Sequence, residues 1–254
     1  MQLAPNPPLV EAPPPVTVWG LPLAPLTFSA TLHLIDAWVA DGTPRYVITA
    51  NVHYAMLTTT DPRLGPVTRG AAVVLADGMP LVWAAHGRLP ERVAGSDLVP
   101  ALCQRAAQRG HRVFLLGAAH GVAERAAANL QARFPGLVIA GTLAPPFRDW
   151  TVAETAETVA IVRAARPDLL FVAFGQPKGE LWVAENYRDL GVPVTMQIGA
   201  TLDFVAGRVR RAPRWLQRIG LEWAFRLLRE PRRLAGRYFR DGLFVVRMLL
   251  SQSR

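Results

Sequence analysis

The chain has 254 residues, of which 51% are hydrophobic, and carries a formal net charge of +9 at pH 7. This length and composition exclude a largely disordered chain and suit one large α/β domain with an appendage, or two small domains. The single cysteine, Cys103, excludes an internal disulfide and fits a reducing compartment. No window approaches the ~20 apolar residues that a membrane-spanning helix needs, so we expect a chain that does not cross a bilayer.

Proline dominates the start of the chain, with six prolines among the first fifteen residues. Such a composition favours disorder, and residues 1–20 are predicted to be a disordered N-terminus. This segment lacks the basic stretch and the continuous apolar run of a secretory signal. We therefore do not expect it to direct secretion.

Residues 21–207 alternate between short apolar runs typical of strands and longer stretches typical of helices. Strands are predicted at Tyr46–Asn51, Ala72–Asp77, Arg112–Gly117, Leu137–Gly141, Leu169–Gly175 and Val194–Gly199. Helices are predicted at Val52–Thr60, Gly78–His86, Asp97–Arg109, Gly121–Phe134, Val152–Ala165 and Gly179–Leu190. The alternation predicts an α/β, Rossmann-like domain with a mostly parallel sheet flanked by helices. Ligands of such sheets bind outside the carboxyl ends of the strands.

Polar residues follow two of the predicted strands at that edge. Asp77 ends one strand, and Thr49 and Asn51 end the one before it. A carboxylate at a strand end can act as a general base, whereas the structural alternative is that Asp77 caps the next helix. Thr49 and Asn51 offer a hydroxyl and an amide to a sugar, although such residues are also common in turns.

Two further loops enter helices and suit a phosphate or a sugar hydroxyl. Arg92, Gly95 and Asp97 lie at the start of one predicted helix, where free N–H groups point outward. Gly117 ends a strand in front of another helix, but its surroundings do not form the G-x-G-x-x-G pattern of a dinucleotide site. These loops are therefore candidate binding segments of the same crevice.

The last candidate loop runs from Gly199 to Gly207 and contains Asp203, which could bind a ribose or acceptor hydroxyl or pair with an arginine. The five histidines show no metal-ligand spacing, and the chain has no Asp-x-Asp pair. We therefore expect no metal and no cofactor, and any bound phosphate would need arginines and backbone amides.

The charge of the chain is concentrated in residues 208–254. This segment holds thirteen arginines, no lysine and three acidic residues, which gives +10. The first 207 residues hold 15 basic and 16 acidic residues, which gives −1. Apolar residues recur in the segment at helical spacing: Trp215, Ile219, Trp223, Leu227, Phe239, Leu243, Val246 and Leu250. The pattern predicts a basic, amphipathic, helical appendage.

Three interpretations of this appendage remain open. Its arginines could form a solvated face, grip nucleic-acid phosphates, or grip lipid headgroups and a diphosphate at a membrane surface. The interleaved aromatic residues, such as Trp215, Trp223 and Phe239, favour an interface between apolar and aqueous surroundings. We therefore expect an anionic membrane surface as the partner and no nucleic acid. A basic nucleic-acid-binding α/β module and a non-catalytic nucleotide-sugar-binding protein remain as alternatives.

Taken together in chain order, seven segments resemble one family, the WecG/TagA/CpsF glycosyltransferases of bacterial surface polysaccharide synthesis. They are Val47–Asn51, Ala76–Gly78, Arg92–Asp97, Phe174–Glu180, Ile198–Gly207, Arg211–Pro213 and Leu221–Leu227. The resemblance implies an inverting, metal-independent enzyme. Such an enzyme moves an N-acetylmannosamine-type sugar, or glucose, from UDP to a polyprenyl-diphosphate-linked sugar.

The resemblance also implies roles for individual residues. Asp77 matches the family's catalytic aspartate, with Thr49 and Asn51 as its polar neighbours. Three residues match the glycine-to-glutamate motif of the substrate site: Gln176, Lys178 and Glu180. Three residues of the appendage match arginines that complete the active site: Arg226, Arg233 and Arg237.

The chain departs from the family pattern at two points. Gly179 stands where the family usually has a glutamine, and the spacing from Arg233 to Arg237 is one residue longer than usual. The resemblance further implies a cytoplasmic protein held peripherally on the inner face of the cytoplasmic membrane. Residues 21–207 would then be the catalytic domain and residues 208–254 the membrane-associating appendage. The sequence is also compatible with a homo-oligomer.

Overall fold

The structure is a computed structural model that describes residues 11–252, so the disorder predicted for residues 1–10 lies outside the described residues. Its strands are β1 (Val16–Val18), β2 (Leu21–Leu23), β3 (Arg45–Ala50), β4 (Val73–Ala76), β5 (Arg112–Gly117), β6 (Val138–Leu143), β7 (Leu169–Ala173) and β8 (Val194–Gln197). Its first helices are α1 (Phe28–Asp41), α2 (Val52–Thr60), α3 (Leu64–Gly70), α4 (Met79–Ala84), α5 (Gly95–Arg109) and α6 (Val122–Arg133). The later helices are α7 (Val152–Ala165), α8 (Lys178–Leu190), α9 (Thr201–Val205), α10 (Arg214–Arg218), α11 (Glu222–Arg229) and α12 (Pro231–Gln252).

Six strands form one parallel sheet in the order β4-β3-β8-β7-β5-β6. The register places Val47 of β3 opposite Val73 of β4 and Met196 of β8. All six strands were predicted from their apolar runs, and the α/β fold with a parallel sheet is confirmed. Because the strands run in one direction, the polar residues that follow β3, β4, β7 and β8 meet at one edge.

The inner strands of the sheet are buried on both faces, which explains why they are largely apolar, whereas the edge strand β6 is partly exposed. Along β3, Val47 packs into the layer that contains α1, α5 and α6, while Tyr46 and Ile48 pack into the opposite layer. That opposite layer contains α2, α3, α4, α7 and α8 and receives Phe244 from α12. The C-terminal appendage is therefore anchored to the same core as the sheet.

The N-terminal boundary of the folded chain differs from the prediction. Residues 16–18 lie within the segment expected to be disordered, yet they form β1, which pairs with β2 in an antiparallel hairpin. Trp19 and Gly20 connect the two strands with φ angles of 50° and 81°, as a tight two-residue turn requires. The prolines precede β1, and the buried side chains of Val18 and Trp19 stabilise the hairpin against the body.

The appendage is helical, as predicted, but its first apolar residues do not lie on one helix. The chain turns at Gly220 between α10 and α11, and Gly220 packs against Trp83 of the body. Helix α12 then packs beside α2. Its Phe244 contacts Trp19 of the β1–β2 hairpin, with ring centroids 5.7 Å apart. Within residues 11–252, no helix combines the length and the apolar character needed to cross a membrane.

Gly117, the last residue of β5, provides a test of how tightly this sheet edge is built. Its φ is 102°, and a Cβ there would lie 2.8 Å from the carbonyl oxygen of Ala173 on β7. We predict that Gly117→Ala lowers the free energy of unfolding in urea by about 3 kcal/mol or more, because strain and a backbone clash combine. Gly110→Ala is the control, since Gly110 shares a positive φ but has open space around it. That control should cost only about 1–2 kcal/mol, and equal losses would contradict the prediction.

Candidate active site

A cavity of about 1130 Å³ opens at the carboxyl ends of β3, β4, β7 and β8. The appendage forms its opposite wall. Eleven of the predicted site residues line it: Thr49, Asn51, Asp77, Arg92, Gln176, Glu180, Gly199, Asp203, Arg226, Arg233 and Arg237. Four others do not line it: Gly95, Asp97, Gly117 and Lys178. The fold therefore brings residues from both ends of the chain to one site.

Asp77 lies directly after β4 and faces this cavity. Its backbone N–H donates to Ala50, and its Oδ2 accepts a hydrogen bond from the N–H of Gly95 at 3.3 Å. Helix α4 begins after Gly78 and has no side-chain cap. The alternative role of Asp77 as a helix cap is therefore wrong, and its Oδ1 has no hydrogen-bond donor among the described residues.

Burial raises the pKa of Asp77 to about 6. The Arg92 guanidinium and, more weakly, Arg211 act in the opposite direction, while the carboxylate of Glu222 raises this pKa further. Above pH 6 Asp77 is therefore a carboxylate with a proton affinity higher than that of an ordinary aspartate. This is the property that a general base near neutral pH needs.

An ion-pair network surrounds Asp77 and joins the body to the appendage. Arg92 Nη2 lies 2.9 Å from Asp97 Oδ2, and Arg211 forms two bonds to the Asp97 carboxylate, at 2.6 and 2.9 Å. Glu222 of α11 lies 3.5 Å from both arginines. Asp97, which was predicted to bind substrate, instead holds these two arginines in place. Arg211 and Glu222 were not predicted, although both lie in segments that carry the family resemblance.

Gly95 likewise acts on the protein and not on a ligand. It starts α5, and the N–H that we expected to meet a phosphate donates to Asp77. A Cβ at this position would lie 3.3 Å from Thr49 Oγ1, so the glycine also permits close packing between α5 and β3. The helix start therefore positions the carboxylate of Asp77.

Thr49 and Asn51 line the cavity while making structural bonds. Thr49 Oγ1 donates to the carbonyl of Gln197 at 3.2 Å, and Asn51 Oδ1 accepts from the N–H of Tyr54 as the cap of α2. The amide group of Asn51 keeps its NH₂ donors for a ligand. Both residues are thus held rigidly at the cavity surface, where a sugar hydroxyl can reach them.

A chain of side chains connects the buried Glu180 to the appendage. Gln176 Nε2 donates to Glu180 Oε1 at 2.9 Å, and Arg237 Nη2 reaches Gln176 Oε1 at 3.5 Å. Burial raises the pKa of the Glu180 carboxyl. Because Glu180 fixes the orientation of the Gln176 amide, the amide oxygen is turned toward Arg237. Gln176 therefore contributes to the position of one arginine of the appendage.

The space beside Gly179 is occupied by Gln197, which lies at the end of β8. A Cβ on Gly179 would lie 2.3 Å from Gln197 Nε2. The Gln197 amide donates to the carbonyl of Phe174 at 2.6 Å and accepts from the N–H of Gly199 at 2.9 Å. These bonds tie together the loops that follow β7 and β8. The departure from the family pattern at Gly179 thus makes room for a buried amide from a neighbouring strand.

Gly117 and Lys178 border a second, smaller cavity of about 270 Å³ that shares Gly175 and Gln176 with the main one. Lys178 Nζ donates to the carbonyl of Arg148 at 2.5 Å and lies over the ring of Trp150. Both residues were expected in the main crevice. The contacts with Arg148 and Trp150 keep Lys178 out of the main cavity. Gly117 lies where β7 approaches too closely to leave room for a side chain.

Of the remaining predicted residues, Asp203 lies on α9 of the body, and Arg226 and Arg233 lie on the appendage. Asp203 pairs with Arg208 at 3.4 Å, as its structural alternative proposed. Arg226 lies over the ring of Phe204, and Arg233 pairs with Glu230 at 2.6 Å. In residues 11–252 no cluster of three or more histidine, cysteine, aspartate or glutamate side chains is arranged to hold a metal ion.

The cavity places a strand-end carboxylate opposite arginines. Comparison with known protein families gives a match over almost the whole chain. A model of the glycosyl transferase WecG/TagA/CpsF family matches residues 16–254. The chain belongs to this family. It is therefore a glycosyltransferase, and the family resemblance found in the sequence is confirmed. Membership favours the enzyme over the nucleic-acid-binding and non-catalytic alternatives.

Three named relatives of this transferase share one description, N-acetylglucosaminyldiphosphoundecaprenol N-acetyl-beta-D-mannosaminyltransferase. The protein from Bacillus spizizenii (strain ATCC 23059 / NRRL B-14472 / W23) is 33% identical over 79% of this chain and 77% of its own length. The one from Bacillus subtilis (strain 168) is 29% identical over 85% and 84%. The one from Staphylococcus aureus (strain MW2) is 29% identical over 74% of each chain.

The packing of Gly179 against Gln197 gives a testable prediction. In Gly179→Ala the Gln197 amide must move, so its bonds to Phe174 and Gly199 weaken, and we expect a loss of about 1–3 kcal/mol in the free energy of unfolding. Once Gln197→Ala has removed the contact atoms, adding Gly179→Ala should cost close to nothing more. Gly236→Ala, at an open position of α12, is the control for a glycine replacement. Additive losses in the double variant would show that the two residues do not compete for space.

Proposed function

We propose that this glycosyltransferase moves a sugar from a UDP-sugar to the sugar of a polyprenyl-diphosphate-linked acceptor, with inversion at the anomeric carbon. The transferred sugar is N-acetylmannosamine-type or glucose. The relatives' shared name, which joins a mannosaminyl group to a diphosphoundecaprenol-linked acceptor, supports an N-acetylmannosamine-type sugar and a lipid-linked acceptor. The observation that carries the proposal is the carboxylate of Asp77, with its raised pKa, facing arginines across one cavity.

Asp77 serves as the general base of a single displacement. Its free Oδ1 accepts the proton of the acceptor hydroxyl while that oxygen attacks the anomeric carbon of the donor. The new glycosidic C–O bond forms as the bond to the UDP oxygen breaks, and UDP leaves with the electron pair. Attack from the face opposite the leaving group inverts the configuration. A positioned base of this kind contributes roughly 10²–10⁴-fold to the rate.

The departing UDP develops negative charge that must be stabilised. Arg226, Arg233 and Arg237 line the cavity from the appendage and supply this countercharge. Within the described residues, Arg226 Nε is buried and has no hydrogen-bond partner, so a donor is available to a diphosphate oxygen. Guanidinium groups bind diphosphates with paired hydrogen bonds, and this allows the reaction to proceed without a metal. Thr49 and Asn51 orient a sugar beside Asp77.

The appendage also brings the site to the bilayer that holds the acceptor. Apolar side chains of α12 are exposed along one stripe: Phe239, Leu243, Val246, Leu249 and Leu250. Exposed aromatic residues of α10 and α11 add Trp215 and Trp223. The segment carries +10, so it suits an anionic surface, with the stripe entering the headgroup region. The site of action would be the inner face of the cytoplasmic membrane.

The role of Asp77 is tested by Asp77→Asn. We predict a loss of transfer of about 10²–10⁴-fold, because asparagine cannot accept the proton. The affinity for UDP, measured by calorimetry, should stay close to that of the parent protein, because the arginines are unchanged. Asp189→Asn, at an exposed position of α8, is the control for the loss of one carboxylate. Transfer by Asp77→Asn at the parent rate would refute the base assignment.

The membrane role is tested by the combined variant Phe239→Ser, Leu243→Ser and Val246→Ser. Each side chain is more than half exposed, so folding should be unaffected. Burial of one such side chain contributes about 1.5–3 kcal/mol, so flotation with phosphatidylglycerol vesicles should fall by at least about tenfold.

The control for this variant is Val152→Ser with Ile161→Ser, which removes exposed apolar residues from α7 on the body. The control should float with the vesicles as the parent protein does. Unchanged flotation of the α12 variant would rule out the stripe as the membrane contact.

A further inference from the structure

The Arg92 guanidinium is shared among three carboxylates, one of which belongs to the appendage. Its Nη2 lies 2.9 Å from Asp97, while its Nη1 lies 3.5 Å from Glu222 Oε2 and 3.9 Å from Asp77 Oδ1. At 3.9 Å, Arg92 and Asp77 attract each other but do not form a hydrogen bond. The nearest arginine to the proposed base is therefore held back from it.

We propose that Glu222 is a positioning residue that holds Arg92 away from Asp77 and so keeps Asp77 free to accept the acceptor proton. The inference rests on the proposed function of Asp77 as the base. Glu222 acts on Asp77 through the guanidinium that both carboxylates share and through its own negative charge. Its role is therefore distinct from that of the arginines that face the donor.

The physical reason is the strength of a direct arginine–carboxylate pair. An arginine in contact with a carboxylate favours its charged form and weakens it as a base. Glu222 competes for Arg92 Nη1, and its own negative charge opposes ionisation of Asp77. Without Glu222, Arg92 loses one of its three partners and can close onto Oδ1 of Asp77. The carboxylate would then bind a proton less readily.

The charged groups that face Asp77 come from three parts of the chain. Arg92 lies in the loop before α5, Glu222 lies on α11, and Arg211 lies in the segment before α10. Asp97 of α5 holds both arginines. Glu222 and Arg211 belong to the appendage, so the environment of the base is complete only when the appendage is seated on the body. The appendage thus acts on the base as well as on the leaving group.

The test is the pH dependence of kcat/KM in Glu222→Gln. In the parent enzyme, transfer should fall as the pH drops through about 6, where Asp77 becomes protonated. In Glu222→Gln this acidic limb should move down by about one pH unit, and the rate at neutral pH should fall, because Asp77 is then a weaker base. Glu222→Asp keeps the charge and should restore most of the parent profile. Glu157→Gln, an exposed position on α7, controls for the change in net charge.

A second readout does not need sugar transfer. Carbon-13 NMR of labelled aspartate carboxyls reports the titration of Asp77 directly, with Asp77→Asn to assign the signal. The midpoint should fall in Glu222→Gln and rise in Arg92→Gln. An unchanged midpoint in well-folded Glu222→Gln would overturn the inference, and if that variant does not fold, an unchanged midpoint in Arg92→Gln would do so. If the parent enzyme transfers no sugar while the midpoints move as expected, the proposed function fails and the electrostatic inference stands.

Discussion

The ion pair between Arg211 and Asp97 is the contact on which the site depends. It joins two parts of the chain with very different charge, since residues 1–207 sum to −1 and residues 208–254 to +10. Its two short bonds fix the appendage at the carboxyl edge of the sheet, where Asp77 lies. Together with the longer pair between Arg92 and Glu222, it anchors the wall that carries Arg226 beside the strand-end carboxylate. The cavity is therefore as much a product of charge pairing as of the fold.

Much of the body could be predicted because its strands obey one simple rule. A strand buried on both faces must be apolar throughout, as Leu169–Ala173 is, and parallel strands bring their polar ends to one edge. The hairpin at residues 16–23 was missed because prolines dominate the composition around it, whereas its stability comes from contacts with distant parts of the core. Helix α1 was also missed, although Thr27 caps its start and Gly42 ends it in the left-handed conformation.

The site shows where local patterns stop being informative. Asp77 and Asn51 could be found because each follows a recognisable strand, but nothing local distinguished a base from a helix cap at Asp77. The partners of Arg92 could not be predicted, because Asp97 and Glu222 are 125 residues apart in the chain and meet only through the tertiary fold. The same holds for Gln197, a polar residue at the end of a buried strand, whose purpose becomes apparent only beside Gly179.

Helix α12 has apolar side chains on two faces, and only one of them is covered. Phe244 and Leu234 are buried, while the stripe headed by Phe239 faces outward. Exposure of this apolar stripe to water is energetically unfavourable, and any amphiphile that covers the stripe lowers the free energy. We therefore expect the purified enzyme to stay in solution in mild detergent and to aggregate when it is concentrated without detergent.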